Sequence, residues 1–518
     1  MRHWICLAIL LVGCQKKEPP CIANLRINIE SEPSSLDPRK CRKLYEVTLC
    51  RMLYEGLTRV GKDGKVELAV ADAVAISENR LVYVFHLKET NWSNGQPVTS
   101  YDFAESWKQI LNPSFPTDIA YQLYVIENGK KVKSGELSMD KLGIQTPDPL
   151  TLIVRLETPT PYFLDICAMA SFLPVPSQIA SSNDSWYSDP KTFVGNGAFV
   201  LKTWHHNDRI LVSKNDHYWD APNIVLQEIE MMMVTSDTEI KLFEEERLDW
   251  AGSPLSTLPV DAISQLKQTD QLKVSPLSGT FFFRVNTSET LRGKPNPLAS
   301  SALRKALAAG IDREAITTHI LQGGQKPARS LVPPEMGLTS NGYFQEQKKL
   351  SIATPSVPIT ISFSADERTM TIVQAIQKQL ETSLGILCQI EPLESKVFYQ
   401  RVREKNYQLA AGSWIADFND PVNFLEVFKY NAGSNNTNWE DPKYIDLLNQ
   451  SALCGDQDER KRLLHRAEEI LMDQMPIIPI FHFAMNYLER PGVQGVALSP
   501  IGQIDFRWAK VDSAQHSR

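Results

Sequence analysis

Hydrophobic positions recur along this chain with two distinct periods. From Leu150 to Glu157, apolar Leu150, Leu152, Val154 and Leu156 alternate with Thr151, Arg155 and Glu157, which predicts a half-buried strand. Between Asp458 and Met472, Leu463, Leu464, Ala467, Ile470 and Leu471 fall at helical spacing and leave Lys461, Arg462, Arg466 and Glu469 for solvent. Pro476 ends that predicted helix. Leu303, Ala306 and Leu307 predict another, broken at Gly310, with Asp312 placed to cap the next. Strand and helix signals alternate irregularly over the whole chain, which predicts a mixed α/β protein rather than a bundle, a sandwich or a repeat array. Proline and polar punctuation at Pro174–Ser188, around Ser275–Gly279 and at Pro491–Pro500 predicts the places where the chain crosses between lobes.

At 518 residues the chain exceeds a single ordinary core, so two or three lobes are expected. Hydrophobic residues make up 42% and charged residues 22%, the balance of a globular protein. The net charge of −7 carries no basic block of the kind that neutralises phosphates, so nucleic acid is excluded as a partner. At the N-terminus, Arg2 and His3 precede an apolar run from Trp4 to Val12 that is too short to span a bilayer and reads as a signal-peptide core. It runs into Leu11-Val12-Gly13-Cys14, which resembles the lipobox of bacterial lipoproteins, so the mature chain is expected to begin at a lipidated Cys14. A plain cleaved signal peptide or a buried N-terminal helix is the alternative. Gln15 to Pro20, polar and proline-containing, reads as a tether.

Six cysteines follow the lipidation site, and none forms a C-x-x-C pair, so no zinc or redox site is expected. Cys41 and Cys50 are the closest two in sequence, but spacing alone does not decide whether they bridge. A phosphate-binding loop, a dinucleotide fingerprint, H-E-x-x-H and G-x-S-x-G are all absent. His205 and His206 are adjacent, so on a strand they point to opposite faces and do not chelate one metal together. Glu244 to Glu246 read as a solvated helix face. Neither an enzyme nor a cofactor is expected. What the chain does carry is aromatic residues beside polar turns: Trp250-Ala251-Gly252-Ser253, Phe281-Phe282-Phe283 and Trp414-Ile415-Ala416-Asp417-Phe418. Binding pockets combine apolar walls with a few aimed polar groups in this way, although Phe281 to Phe283 read equally well as a core strand.

These residues resemble the solute-binding proteins of peptide ABC importers, the oligopeptide- and dipeptide-binding proteins. NWSNGQPVTSYDFAESW, from Asn91 to Trp107, is the most specific match. SEPSSLDP from Ser31, LYEGL from Leu53, GNGAFVLKTW from Gly195, NDHYWD from Asn215, LRKALAAGIDREAI from Leu303 and AEEILMDQMPIIPIFHF from Ala467 extend the likeness from about Leu25 to Trp508. The resemblance implies an α/β, two-lobed periplasmic-binding-protein fold with an extra inserted domain, the large peptide-binding class, closing on ligand by hinge motion. It divides the chain into a signal peptide (1–13), a lipid-anchored tether (14–21), lobe I in three parts (22–50, 179–278, 489–518), the inserted domain (51–178) and lobe II (279–488).

The resemblance also implies a site. GSWIADFNDP, from Gly412 to Pro421, is similar to the family segment whose aspartate accepts the ligand's α-ammonium, here Asp417. Trp414, Ile415 and Ala416, with the segment around Glu32 and Ser34, would offer backbone to an extended peptide. Gly252, Ser253, Phe282, Asn436 and Phe483 would line the cavity. The family's basic groups for the ligand's C-terminal carboxylate match Leu321, Thr369, Val402 and Ala411 here, which leaves nearby Arg368, Arg401 and Arg403 as substitutes. A cysteine pair that bridges the lobe in some relatives is replaced by Gly279 and Ile415, and a tryptophan wall by Ser395. The implied function is capture of short peptides by a monomeric lipoprotein on the periplasmic face of the cell envelope and delivery to an ABC permease and ATPase. Murein-derived or glutathione-like peptides, another amine-bearing solute, and a signalling or adhesive surface role remain alternatives.

Overall fold

Two thirteen-residue strands, Lys273–Val285 and Ile477–Glu489, run the length of one large sheet and tie its halves together. The computed structural model describes residues 25–339, 341–346, 355, 357–431 and 433–512. Cys14, the leader and the tether lie outside the described residues. Both long strands are rich in β-branched and aromatic residues, and their alternation gives a pleated ribbon buried on both faces through Phe281 to Phe283 and Ile477 to Phe481. The stretch Ser275–Gly279, expected as a crossing between lobes, lies within the first of these strands. It continues the strand through a register shift between Pro276 and Thr280, where a bulge bends the ladder as it passes from one half of the sheet to the other.

On one side of this ribbon, Ile359–Ser364 and Cys388–Leu393 pair in parallel, and Ile359–Ser364 also pairs in parallel with Leu409–Ile415. Helix Glu367–Leu384 and helix Ser395–Arg403 follow the first two of these strands, the βα arrangement that puts all three carboxyl ends on one edge. On the other side, Leu25–Asn28 runs parallel to Glu228–Met232 and Trp250–Gly252, and an antiparallel pair, Phe199–His205 and Arg209–Lys214, completes the sheet. The α/β, two-lobed class holds. Residues between them build a separate four-stranded antiparallel sheet from Ala71–Ile76, Val82–Leu87, Ile144–Asp148 and Thr151–Arg155, covered by helix Ser100–Leu111. That helix belongs to the most specific sequence match. Thr99 caps it reciprocally with Asp102, and Trp107 is fully buried with its indole N–H donating to the Phe172 carbonyl at 2.9 Å.

The other predicted elements form close to where the pattern put them. The strand is Thr151–Arg155. The long helix is Gln457–Gln474, stopped by Met475 in the left-handed region just ahead of Pro476. Asp312 caps Arg313–Ala315 by accepting from the Ala315 N–H at 2.9 Å. Glu244 to Glu246 are exposed. The Cys41 and Cys50 sulfurs lie 2.8 Å apart as buried thiols. Among the described residues no helix is long and apolar enough to cross a membrane, and no group of three or more His, Cys, Asp or Glu side chains is placed to hold a metal ion.

Candidate functional site

The carboxyl end of strand Leu409–Ile415 supplies the most chemically pointed group between the lobes. Lys273–Val285 pairs with this strand along its whole length, from Val285 opposite Leu409 to Gly279 opposite Ile415. Its other edge meets Ile359–Ser364 only at Leu409 and Ala410. From Ala411 to Ile415 that second edge has no strand beside it among the described residues, which leaves backbone N–H and C=O groups for a segment added in register. The chain then turns. The Ala416 N–H donates to the Ser278 carbonyl at 2.8 Å, and Asn423 accepts from both the Trp414 indole and the Asp417 N–H at 2.8 and 3.2 Å. Asn423 thereby fixes the loop on which Asp417 stands.

Asp417 opens into a cavity of about 350 Å³ walled by four parts of the chain, one of them Ile501 and Gln503 near the C-terminus. Lobe II contributes Ala416 and Asp417. The loop ahead of helix Leu44–Leu53, with that helix, contributes Cys41, Arg42, Leu44, Val47 and Arg51. The inserted domain contributes Asp118 to Gln122 except Ala120, with Met169 to Ser171. The volume lies in the range of small-ligand sites, roughly 300–1,000 Å³. Desolvation pushes the Asp417 carboxyl up to about 6, with Asn423 opposing the shift. A carboxylate kept partly dry, with no ion-pair partner among the described residues, favours a cationic guest. Beside it, Phe418 stacks flat on Tyr162 of the inserted domain at 4.8 Å, and Arg460 holds Asp420 in a two-pronged ion pair at 2.7 and 2.9 Å, so the loop is braced from both sides.

The remaining residues named from sequence scatter around this centre. Glu32 does not offer itself to the cavity. Its carboxylate accepts from the Trp204 indole, the Asn207 N–H and His206 Nδ1 at 2.6–2.8 Å, pinning the turn after strand Phe199–His205. Ser34 gives its N–H and hydroxyl to Glu46 at 2.9 and 2.7 Å. The cavity wall comes instead from Arg42, Leu44 and Val47, a few positions further along. Phe282 is fully enclosed against Phe428 in the lobe II core, because its position on a doubly covered strand turns it inward. Phe483 is half-buried beside Gly279 and Phe481, while the Asn436 side-chain amide donates to the Ser434 carbonyl at 3.2 Å and its own carbonyl accepts from the Tyr407 hydroxyl; neither residue lines the Asp417 cavity. Gly252 and Ser253 terminate the lobe I strand Trp250–Gly252, where Gly252 N–H donates to Glu239 and Ser253 N–H to the Asn486 carbonyl, both at 2.9 Å. Trp414 is half-buried and Ile415 exposed, facing Gly279 across the ladder.

The positions at which basic groups are missing are apolar in fact as well as in sequence: Leu321, Val402 and Ala411 are buried. Of the three substitutes, Arg401 is committed to Glu391, which also accepts from Ser362, and Arg403 is exposed on the last turn of its helix. Arg368 stands on the first turn of helix Glu367–Leu384, an exposed residue whose guanidinium is held below its ordinary value by desolvation.

The pH dependence of binding follows from the Asp417 shift. For a ligand whose ammonium would rest on Asp417, protonation of the carboxylate competes with binding, so affinity is expected to fall as the pH drops through about 6. Below that point we expect a loss approaching tenfold per pH unit, measured by calorimetric titration of a tripeptide across pH 4.5–8, with the slope abolished in Asp417→Asn.

Comparison with known proteins adds an independent line. Residues 65–436 match the profile of the bacterial extracellular solute-binding proteins, family 5 (middle region). The chain is 35% identical over 517 residues to the oligopeptide-binding protein OppA of Bacillus subtilis (strain 168), covering 96% of this chain and 94% of that protein. It is 31% identical to the dipeptide-binding protein DppE of the same organism, covering 94% and 91%. Among solved structures it superposes on the murein tripeptide binding protein MppA in its unliganded open form with a TM-score of 0.81 at 27% identity, covering 95% of this chain and 98% of that one.

Proposed function

The chain belongs to the bacterial extracellular solute-binding proteins of family 5, and on that premise we propose that it captures short peptides between its lobes and delivers them to an ABC permease. The protein is a binding protein and not an enzyme. The observation that carries the peptide reading is the pairing of an open strand edge, Ala411 to Ile415, with a partly desolvated carboxylate just past its end. An extended peptide laid along that edge satisfies backbone groups that every peptide possesses, so binding tolerates sequence, and its α-ammonium meets Asp417. Relatives named for oligopeptides, dipeptides and murein tripeptide share the ligand chemistry on which this rests.

Closure follows from the two long strands. Ligand contacts from Asp417 on one lobe and from Leu44, Val47 and the inserted domain on the other exist together only when the lobes approach, so ligand shifts the population toward the closed form. The Gly13-Cys14 junction supports a mature N-terminus carrying acyl chains, which hold the protein at the periplasmic face of the envelope as a single chain beside its permease and ATPase. Native mass spectrometry of protein extracted from membranes reads both parts of this proposal. We expect an intact mass for a chain that starts at Cys14 with acyl groups attached, and a second series heavier by a co-purified peptide. A mass lacking acyl groups removes the anchor. A ligand without an amine removes the peptide reading.

A further inference from the structure

Arg42 and Arg51 line the same cavity as Asp417, and nothing in the peptide reading uses them. From this juxtaposition we infer that the pocket receiving the ligand's ammonium also holds an anion site, so that the preferred ligand carries a carboxylate on the same residue as its free amine. The inference rests on the proposed peptide reading and deepens it.

Two chemistries put a carboxylate there. In a peptide linked through the side-chain carboxyl of glutamate, the first residue keeps its α-carboxylate beside its α-ammonium. In an ordinary peptide beginning with glutamate or aspartate, the side chain supplies it. Both present Asp417 with a cation and the arginines with an anion a few bonds away.

The arginines differ in how available they are. Arg51 donates Nη2 to the Ala168 carbonyl at 2.9 Å, but its buried Nε has no hydrogen-bond partner among the described residues. The carboxylates nearest to it are already taken. Arg507 holds both Glu55, at 2.6 Å, and Asp505, and the Tyr218 hydroxyl also binds Glu55. Desolvation, reinforced by Arg507 and only partly offset by those carboxylates, pushes the Arg51 guanidinium down to about 10. Such a cation gains from an incoming carboxylate. Arg42 is half exposed and pairs with Asp118 across the mouth of the cavity, a surface pair cheap to exchange for a ligand carboxylate. Tyr121 ties the two ends together. Desolvation raises its phenol, Asp417 raises it further and Arg42 opposes, so all three groups share one electrostatic neighbourhood.

The test is calorimetric titration of the full chain, at neutral pH, with γ-Glu-Ala-Gly, α-Glu-Ala-Gly and Ala-Ala-Gly. At least one glutamyl peptide should bind about 10- to 100-fold more tightly than Ala-Ala-Gly, and which isomer does so identifies the source of the carboxylate. Arg42→Gln, on a half-exposed side chain that leaves the fold intact, should remove most of that preference while Ala-Ala-Gly binds as before. Arg51→Gln should do the same, with its unfolding midpoint measured alongside because Arg51 also holds Ala168. Equal binding of all three peptides, or a preference that survives both substitutions, overturns the inference and leaves the peptide reading standing. If no peptide binds, or if Ala-Ala-Gly binds equally to wild type and Asp417→Asn, both fall.

Discussion

Asp417→Asn should weaken binding of a tripeptide with a free amine by on the order of 100- to 1,000-fold while barely touching its N-acetylated counterpart. The size comes from what is lost on closure. The ammonium and the carboxylate are buried together, and deleting one charge strands the other at a cost of about 3–5 kcal/mol. Some of that cost is relieved by the cavity mouth, which keeps Asp417 partly in contact with water in this conformation, so the lower half of the range is expected. Asparagine retains the shape and can still pair with Asn423, so the loop from Trp414 to Phe418 keeps its course. Nor should the fold suffer. The carboxyl of Asp417 is raised from 3.8 to about 6 in the folded chain, so the stability it contributes is fully present below its unfolded pKa and lost as pH rises through about 6. At neutral pH the ionised group is a burden to the empty protein, and the variant should unfold at an equal or higher urea concentration. Loss of ligand without loss of stability is the signature of a binding residue; parallel titrations of the free and acetylated peptide, with urea midpoints, read it out.

Gly252→Ala should produce the second large effect, this time on the fold. Gly252 has φ +89, a backbone conformation that side chains rarely adopt, and a Cβ there would sit 2.5 Å from the Asn486 carbonyl and 2.9 Å from Leu258. The carbonyl belongs to the long strand Ile477–Glu489 as it enters lobe I and is already bonded to the Ser253 N–H, so it has nowhere to retreat. Moving Gly252 instead breaks its N–H bonds to Glu239 and Ser256, which are buried. Together, strain, clash and a lost hydrogen bond should cost on the order of 3 kcal/mol, seen as a lower urea midpoint. Gly293→Ala provides the comparison: φ +73 but open space around it, so only the backbone term of about 1 kcal/mol remains. Equal midpoints for the two variants would contradict the close approach at Gly252.

How far the sequence reaches toward this site depends on the kind of signal. Periodicity located elements such as Gln457–Gln474 because burial of one face is a local pattern. The punctuation around Ser275–Gly279 falls where the chain passes from one half of the sheet to the other, but the crossing is a bulged strand, which proline and serine do not distinguish from a turn. The Trp414 to Asp417 loop was legible through its motif. The opposite wall of the cavity was not: the backbone around Glu32 and Ser34 is absent from the lining of the Asp417 cavity, and the side chains bind His206, Asn207 and Glu46. Arg42, Leu44, Val47 and Tyr121 reach the cavity through tertiary placement of a loop and of a separate domain, which no spacing records. A local hint is the run Arg39 to Lys43, too short to form a basic block but basic at four of its five positions.

The central claim is that a ligand's amino end comes to rest on Asp417 between the lobes. A crystal structure of the chain with a bound tripeptide decides it. The account predicts a closed cleft, the peptide extended along Ala411 to Ile415, and its terminal nitrogen about 2.7–2.9 Å from an Asp417 carboxylate oxygen. A peptide lodged elsewhere, with Asp417 turned to bulk water, would contradict it.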